Sequence, residues 1–193
     1  MSTPALVALV TAGSAGLGAA TARLFAREGF RVVVNYHSNA KRADALVAEL
    51  RELSALTPAE ARRDGFAAIR ADLGDREELR QLVAETVTAM GRLDVVFSNG
   101  GWTRFSNFMD LEDNVVEEDW DRCFNMNVKS HLFLMHAAKE HLEKTKGSFI
   151  TTASVAGTKP SGSSLVCGDD ATYVHILVHW LITIPYPSYR RTA

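Results

Sequence analysis

The apolar run ALVALVT, residues 5–11, passes without a break into AGSAGLG, which puts glycines at positions 13, 16 and 18. That order reads as a strand leading through a sharp turn into a helix. Glycine there supplies positive φ, lets the backbone approach a bound group, and lets the helix pack tightly on its strand. The spacing differs from GxGxxG but serves the same needs. A glycine cluster at a strand-to-helix turn presents backbone amides to a pyrophosphate. A plain turn needs one glycine, and this stretch holds three in six residues.

The pattern continues downstream. Short β-rich runs at Ala5–Thr11, Arg31–Asn35, Phe66–Ala71, Asp94–Ser98 and Ser148–Ala153 alternate with amphipathic helical patterns over Gly16–Arg27, Ala40–Leu53, Asp75–Met90 and Val115–Glu143. Asp75 with Glu78, and Asn114 with Glu117, have the spacing of an N-cap and its N3 partner. Strand and helix alternating in this way implies right-handed crossovers and an α/β fold with a doubly wound parallel sheet. The strands are nearly continuous in Val, Ile, Leu and Ala, as a sheet covered on both faces requires. The Gly100 to Asn114 loop is long for such a fold and is expected to border the ligand crevice.

Composition narrows the function classes. A chain of 193 residues with 47% apolar residues and a net charge of -2 suits one soluble domain, with no basic excess to recommend nucleic acid or an anionic membrane. The two cysteines, Cys123 and Cys167, form neither a disulfide framework nor a CxxC site. The N-terminal apolar run lacks a preceding positive region and reads as a strand rather than a signal peptide. Residues 173–184, the longest apolar stretch, are interrupted by His175 and His179 and are too short to span a bilayer. A cytoplasmic location follows as the expectation. Those two histidines stand at i and i+4 near Asp169 and Asp170, but no HExxH accompanies them, so no metal is expected.

The residues from 5 to about 166 resemble the short-chain dehydrogenases/reductases, with their Rossmann-like fold. TAGSAGLG resembles that family's TGxxxGxG, with Ala12 where the first family glycine stands; by resemblance Gly13, Ser14, Gly16, Leu17 and Gly18 line the cofactor. ADL holds Asp72 and Leu73 at the family's adenine-contacting Asp and its neighbour. SNGG resembles NNAG, so Asn99 and Gly100 would close over the cofactor. NMNVKS puts Asn127 at the active-site Asn, and TTASVAG puts Ser154 at the catalytic Ser. The resemblance implies exchange of hydride with a small carbonyl or alcohol substrate, and it leaves room for a homo-oligomer. Asn127 shares a helical stripe with Trp120, Phe124, Leu134 and Ala138, where a buried amide must find partners. His131, one turn on, reads as a satisfied core histidine.

The second strand ends differently from that of an NAD enzyme, which usually places an acid on the ribose 2′-OH. Here Asn35 and Tyr36 are followed by His37, Ser38, Asn39, Lys41 and Arg42. Amide, hydroxyl and cationic groups favour a 2′-phosphate, so NADP(H) is expected over NAD(H).

The proton donor is the missing piece. In the family a Tyr 13 residues after the Ser protonates the substrate oxygen, aided by a Lys four residues later. Those positions here are Cys167 and Ala171, and Lys159 is the last lysine of the chain. The resemblance ends at Val166, dividing the chain into a dinucleotide-binding region, 1–166, and an atypical tail, 167–193. The expectation is a fold incomplete at its C-terminus, with a tail produced by altered splicing or a frame change, and an alternative reading as a catalytically inactive dinucleotide-binding homologue.

Overall fold

The computed structural model describes residues 4–56, 65–157 and 164–166. Among them five strands form one sheet: β1 (Val7–Val10), β2 (Arg31–Tyr36), β3 (Phe66–Arg70), β4 (Val95–Ser98) and β5 (Ser148–Thr151). Their order is β3-β2-β1-β4-β5, and every pairing is parallel. The helices are α1 (Gly16–Arg27), α2 (Ala40–Leu53), α3 (Arg76–Met90), α4 (Glu117–Phe124) and α5 (Ser130–Thr145). This is the doubly wound, Rossmann-like architecture that the sequence implies.

The chain divides into two compact units. One comprises Met1–Gly101 with Lys129–Thr152, the other Trp102–Val128 with Ala153–Ala193. The first holds the sheet. Val10, Val32 and Val34 pack with Ala22, Ala26, Leu46, Val47 and Leu50 of α1 and α2. Strand alternation directs Leu9 and Val33 to the other face. There the reversed winding after β3 places α3, which packs against α5. β1 is wholly buried, whereas β5 alternates exposed and half-buried residues along the sheet edge.

α1 and α2 start and stop where the sequence pattern places them, and α3 begins one residue later because Asp75 is its N-cap. The Asp75 carboxylate accepts from the Glu77 and Glu78 amides at 2.8 and 2.9 Å. Glu78, however, does not complete the capping box: its carboxylate accepts from the Asp72 amide at 2.7 Å.

The expected helix over Val115–Glu143 runs from Glu117 to Thr145 as α4 and α5, with a π-turn at Asn125–Lys129 between them. The spacing of Trp120, Phe124, Leu134 and Ala138 fits an unbroken α-helix, so periodicity does not reveal the π-turn. Asn114 is not the N-cap either. It ends a 3-10 turn, Glu112–Asn114, and Val116 takes the cap position without a side-chain bond. The Asn114 amide donates to the Asn107 and Asp110 carbonyls, while its oxygen accepts from Ser106 Oγ and the Leu165 amide. The long loop is therefore tied down within its own unit.

His131 is 3% exposed, with Nδ1 2.6 Å from Ser98 Oγ, the satisfied core histidine anticipated. Burial pushes its pKa down to about 4. No helix among the described residues is long and apolar enough to cross a membrane.

Candidate dinucleotide site

Where β1 ends, the chain is pinned from two sides. The Thr11 amide donates to the Phe97 carbonyl at 3.0 Å, and the Gly13 amide donates to the Asn35 carbonyl at 2.8 Å. Between them Ala12 takes φ 47°, a left-handed conformation that disfavours any residue with a Cβ. The Asn35 side chain holds it there: Oδ1 accepts from the Ala12 amide at 3.0 Å, and Nδ2 donates to the Ala71 carbonyl at 3.1 Å. Asn35 thus links the ends of β1, β2 and β3. It is 1% exposed, and its amide is engaged by backbone groups. That revises the role drawn for it from sequence, from phosphate ligand to scaffold of the turn.

Two glycines of the loop stand where no side chain fits. A Cβ on Gly13 would lie 2.8 Å from the Val10 carbonyl oxygen, and one on Gly18 would lie 2.6 Å from the Ala12 oxygen and 2.9 Å from Asn99 Nδ2. Helix α1 starts at Gly16 with Ala15 at the cap, no side-chain cap bond and no acid in its first turn. The contrast with Asp75-capped α3 is informative. An uncapped helix start, approached closely by bare backbone, has the geometry to bind an anion through its amides. Ser14 is buried beside it, while Leu17 stands exposed on the first turn.

The β4 end closes against the same turn. Thr11, fully buried, accepts through Oγ1 from the Asn99 amide at 2.9 Å and from the Gly100 amide at 3.4 Å. Asn99 Nδ2 donates to the Thr11 carbonyl, and Thr152 Oγ1 donates to Asn99 Oδ1, both at 3.4 Å. A Cβ on Gly100 would strike Leu73 Cδ1, so Leu73 packs directly on that backbone. Thr11 was absent from the expected site. The signal was present, in a polar residue ending a run otherwise apolar.

At the corner from β2 into α2, His37, Ser38 and Asn39 are exposed. Asn39 caps α2 by accepting from the Arg42 amide at 2.9 Å. Arg42, exposed in the first turn of α2, donates from Nη2 to Ser14 Oγ at 3.4 Å, so a cation borders the glycine loop. His37 Nε2 lies 3.6 Å from Asp72 Oδ2. Asp72 Oδ1 accepts from the Gly74 amide at 2.8 Å, holding the turn after β3.

The two remaining site residues belong to the second unit. Asn127 sits in the π-turn and is half-buried rather than buried. Its Oδ1 accepts from the Trp102 amide and its Nδ2 donates to the Trp102 carbonyl, both at 2.7 Å, with Cys123 Sγ at 3.2 Å. It clamps one residue by both backbone groups, and Arg122 stacks 4.5 Å over that residue's ring. Ser154 is exposed, and its Oγ accepts from the Ala156 amide at 3.2 Å at the start of the short 3-10 turn Val155–Gly157. Cys167 and Ala171 lie outside the described residues, as do His175 and His179. Among the described residues no group of His, Cys, Asp and Glu could hold a metal.

Known proteins share this arrangement. The family profile described as short chain dehydrogenase matches residues 6–166. Versicolorin reductase 1 of Aspergillus parasiticus is 34% identical over 153 residues, covering 79% of this chain and 53% of the relative. A short chain dehydrogenase from Burkholderia cenocepacia, solved in complex with NADP, is 30% identical with a TM-score of 0.78, covering 92% of this chain and 67% of that one. An NADH-dependent reductase complexed with NAD shares the fold at a TM-score of 0.80 and 24% identity, over 93% of this chain and 73% of its own. The chain spans about half the length of the curated relatives it matches. With the parallel sheet, the glycine cradle and the SNGG closure in place, the chain belongs to the short chain dehydrogenase family, whose fold binds nicotinamide dinucleotides.

Proposed function

We propose that this chain is an oxidoreductase that binds NADP(H) and interconverts a small carbonyl compound and its alcohol. The observation carrying this reading is the uncapped start of α1 in a glycine cradle, bordered by the Arg42 guanidinium. Gly13, Gly16 and Gly18 admit the pyrophosphate to the α1 amides, and Ser14 with Arg42, Ser38 and Asn39 receives the 2′-phosphate. Asn99 and Gly100 close the floor, with Asp72 and Leu73 toward the adenine. The bound dinucleotide supplies or accepts the hydride at the substrate carbon.

Ser154 polarises the substrate oxygen. Its own oxygen accepts from Ala156, and a hydroxyl keeps one hydrogen to donate. Asn127 acts by positioning, since its amide fixes Trp102 through two backbone bonds. An alkoxide forming in a dry site needs a donor with a tuned pKa.

One sequence observation favours a second reading, in which the chain binds the dinucleotide without turning it over: Cys167 and Ala171 stand where the family has its Tyr and Lys. Fluorescence titration with NADPH and NADH, followed by turnover assays with simple ketones and quinones, separates the two. Tighter binding of NADPH with consumption of NADPH, lost in Ser154→Ala, supports the enzyme. Binding without consumption supports the second reading, and tighter binding of NADH overturns the cofactor assignment.

A further inference from the structure

We propose that Glu78 is a positioning residue for base recognition: by accepting from the Asp72 amide it aims the Asp72 carboxylate at the amino group of a bound adenine. It thereby sets the chain's preference for adenine over a purine without that group. The inference rests on the reading that turns Asp72 toward the adenine and extends it to α3.

Glu78 belongs to a helix whose start does not need its side chain. Asp75 caps α3 through the Glu77 and Glu78 amides, which leaves the Glu78 carboxylate outside the capping box and turned back to the end of β3. There Oε2 accepts from the Asp72 amide at 2.7 Å and lies 3.4 Å from Arg70 Nη1. The helix behind it is anchored by buried Leu79, Leu82 and Val83.

Asp72 is thereby engaged at three of its four polar atoms. Its amide donates to Glu78, its carbonyl accepts from the Asp75 amide at 3.2 Å, and Oδ1 accepts from the Gly74 amide at 2.8 Å. Oδ2 is left to meet a ligand, on a side chain 44% exposed, with the His37 ring 3.6 Å away. Leu73 is buried and packs on the Gly100 backbone, so the turn that carries Asp72 borders the floor of the cradle. The bonds from Gly74 and Asp75 fix the shape of this turn, and Glu78 fixes its direction relative to β3. A carboxylate can only accept, and adenine offers it the 6-amino group, whereas hypoxanthine carries an oxygen there. Base preference therefore lasts only while Oδ2 is aimed at that position.

The test is calorimetric titration of NADP+, NAD+ and the hypoxanthine analogue of each into the intact chain and three variants, with circular dichroism confirming the folds. One solvent-facing hydrogen bond supports a preference for adenine of about fivefold. Glu78→Gln keeps an acceptor oxygen and gives up only an exposed ion pair with Arg70, which contributes little, so it should retain the preference. Glu78→Ala, a good helix former that leaves the Asp75 cap in place, should lose it. Asp72→Asn, able to donate to the oxo group, should lose it as well. A preference retained in Glu78→Ala, even with both bases bound more weakly, overturns the inference, as does its loss in Glu78→Gln. Equal affinity for the two bases in the intact chain overturns it too and leaves dinucleotide binding standing. The expected pattern seen with the NAD+ pair alone upholds it and overturns only the NADP assignment. Binding of no dinucleotide overturns both.

Discussion

Replacing Asn35 by Ala would remove one acceptor and one donor from the point where three strand ends meet. The Ala12 amide loses its 3.0 Å partner and the Ala71 carbonyl its 3.1 Å partner. A buried backbone group stripped of its bond costs about 1–3 kcal/mol. The Ala12 amide is partly buried, which places it near the low end, and a carbonyl has a second lone pair to use. The expected loss is therefore roughly 2–4 kcal/mol, a large part of a domain's net stability. Urea unfolding followed by circular dichroism measures it. Asn35→Asp sharpens the argument, because it keeps an acceptor for Ala12 but turns a carboxylate oxygen toward the Ala71, Tyr36 and Ile69 carbonyls. Only the protonated acid can donate there, so its folded pKa must lie above the usual carboxylate range of about 4. Its stability is then retained in acid and falls as pH rises through and above that value, because the folded state binds more protons. A cost below about 0.5 kcal/mol for Asn35→Ala, or an Asp variant insensitive to pH, would refute the scaffold role.

Gly18→Ala should lower dinucleotide affinity about tenfold or more and destabilise the fold by about 1–3 kcal/mol, since its methyl meets backbone at 2.6 and 2.9 Å that cannot yield; calorimetry and urea unfolding test both. Ala12→Gly should raise the melting temperature by about 1–3 °C, because relief of left-handed strain exceeds the entropy that glycine adds to the unfolded chain. His131 is held neutral in the fold, with its pKa taken from the ordinary 6.5 down to about 4. The unfolded chain then binds more protons between those values, so the stabilisation from this residue is complete above pH 6.5 and lost as pH falls toward 4, by on the order of 3 kcal/mol. Urea unfolding across that range should show the slope, and His131→Asn should flatten it.

What the sequence revealed about the fold depended on how local the cause was. The bounds of α1 and α2 coincide with their patterns because the glycine turn before α1, the Asn39 cap of α2 and the apolar faces of both are local. The π-turn between α4 and α5 was hidden because Trp120, Phe124, Leu134 and Ala138 keep the sequence spacing of an unbroken α-helix across Asn125–Lys129. Asn114 had the spacing of a cap, yet its amide answers to Ser106, Asn107, Asp110 and Leu165, groups that only the folded chain brings together. The same distinction runs through the site. The glycine cradle was legible as a turn with too many glycines. The hydroxyl of Thr11 was not, because its partners at Asn99 and Gly100 lie 88 and 89 positions away in sequence.

Under the proposed function, dinucleotide binding and proton transfer are separable. Thr11, Asn35, Ala71 and Asn99 join the ends of β1, β2, β3 and β4 within one compact unit, by bonds the fold makes for its own stability. A backbone already fixed by such bonds loses little freedom when an anion arrives, so on the proposed reading the cradle would set the affinity for the dinucleotide. Hydride transfer asks for something different, a proton donor at the nascent oxygen, and the sequence supplies cysteine and alanine where the family supplies tyrosine and lysine. On the proposed reading Ser154 would polarise that oxygen without protonating it. Its replacement by Ala should leave the dissociation constant of NADP+ within about twofold while lowering whatever turnover the chain has. A tenfold change in that constant would mean that the serine belongs to the cradle, and the separation would fail.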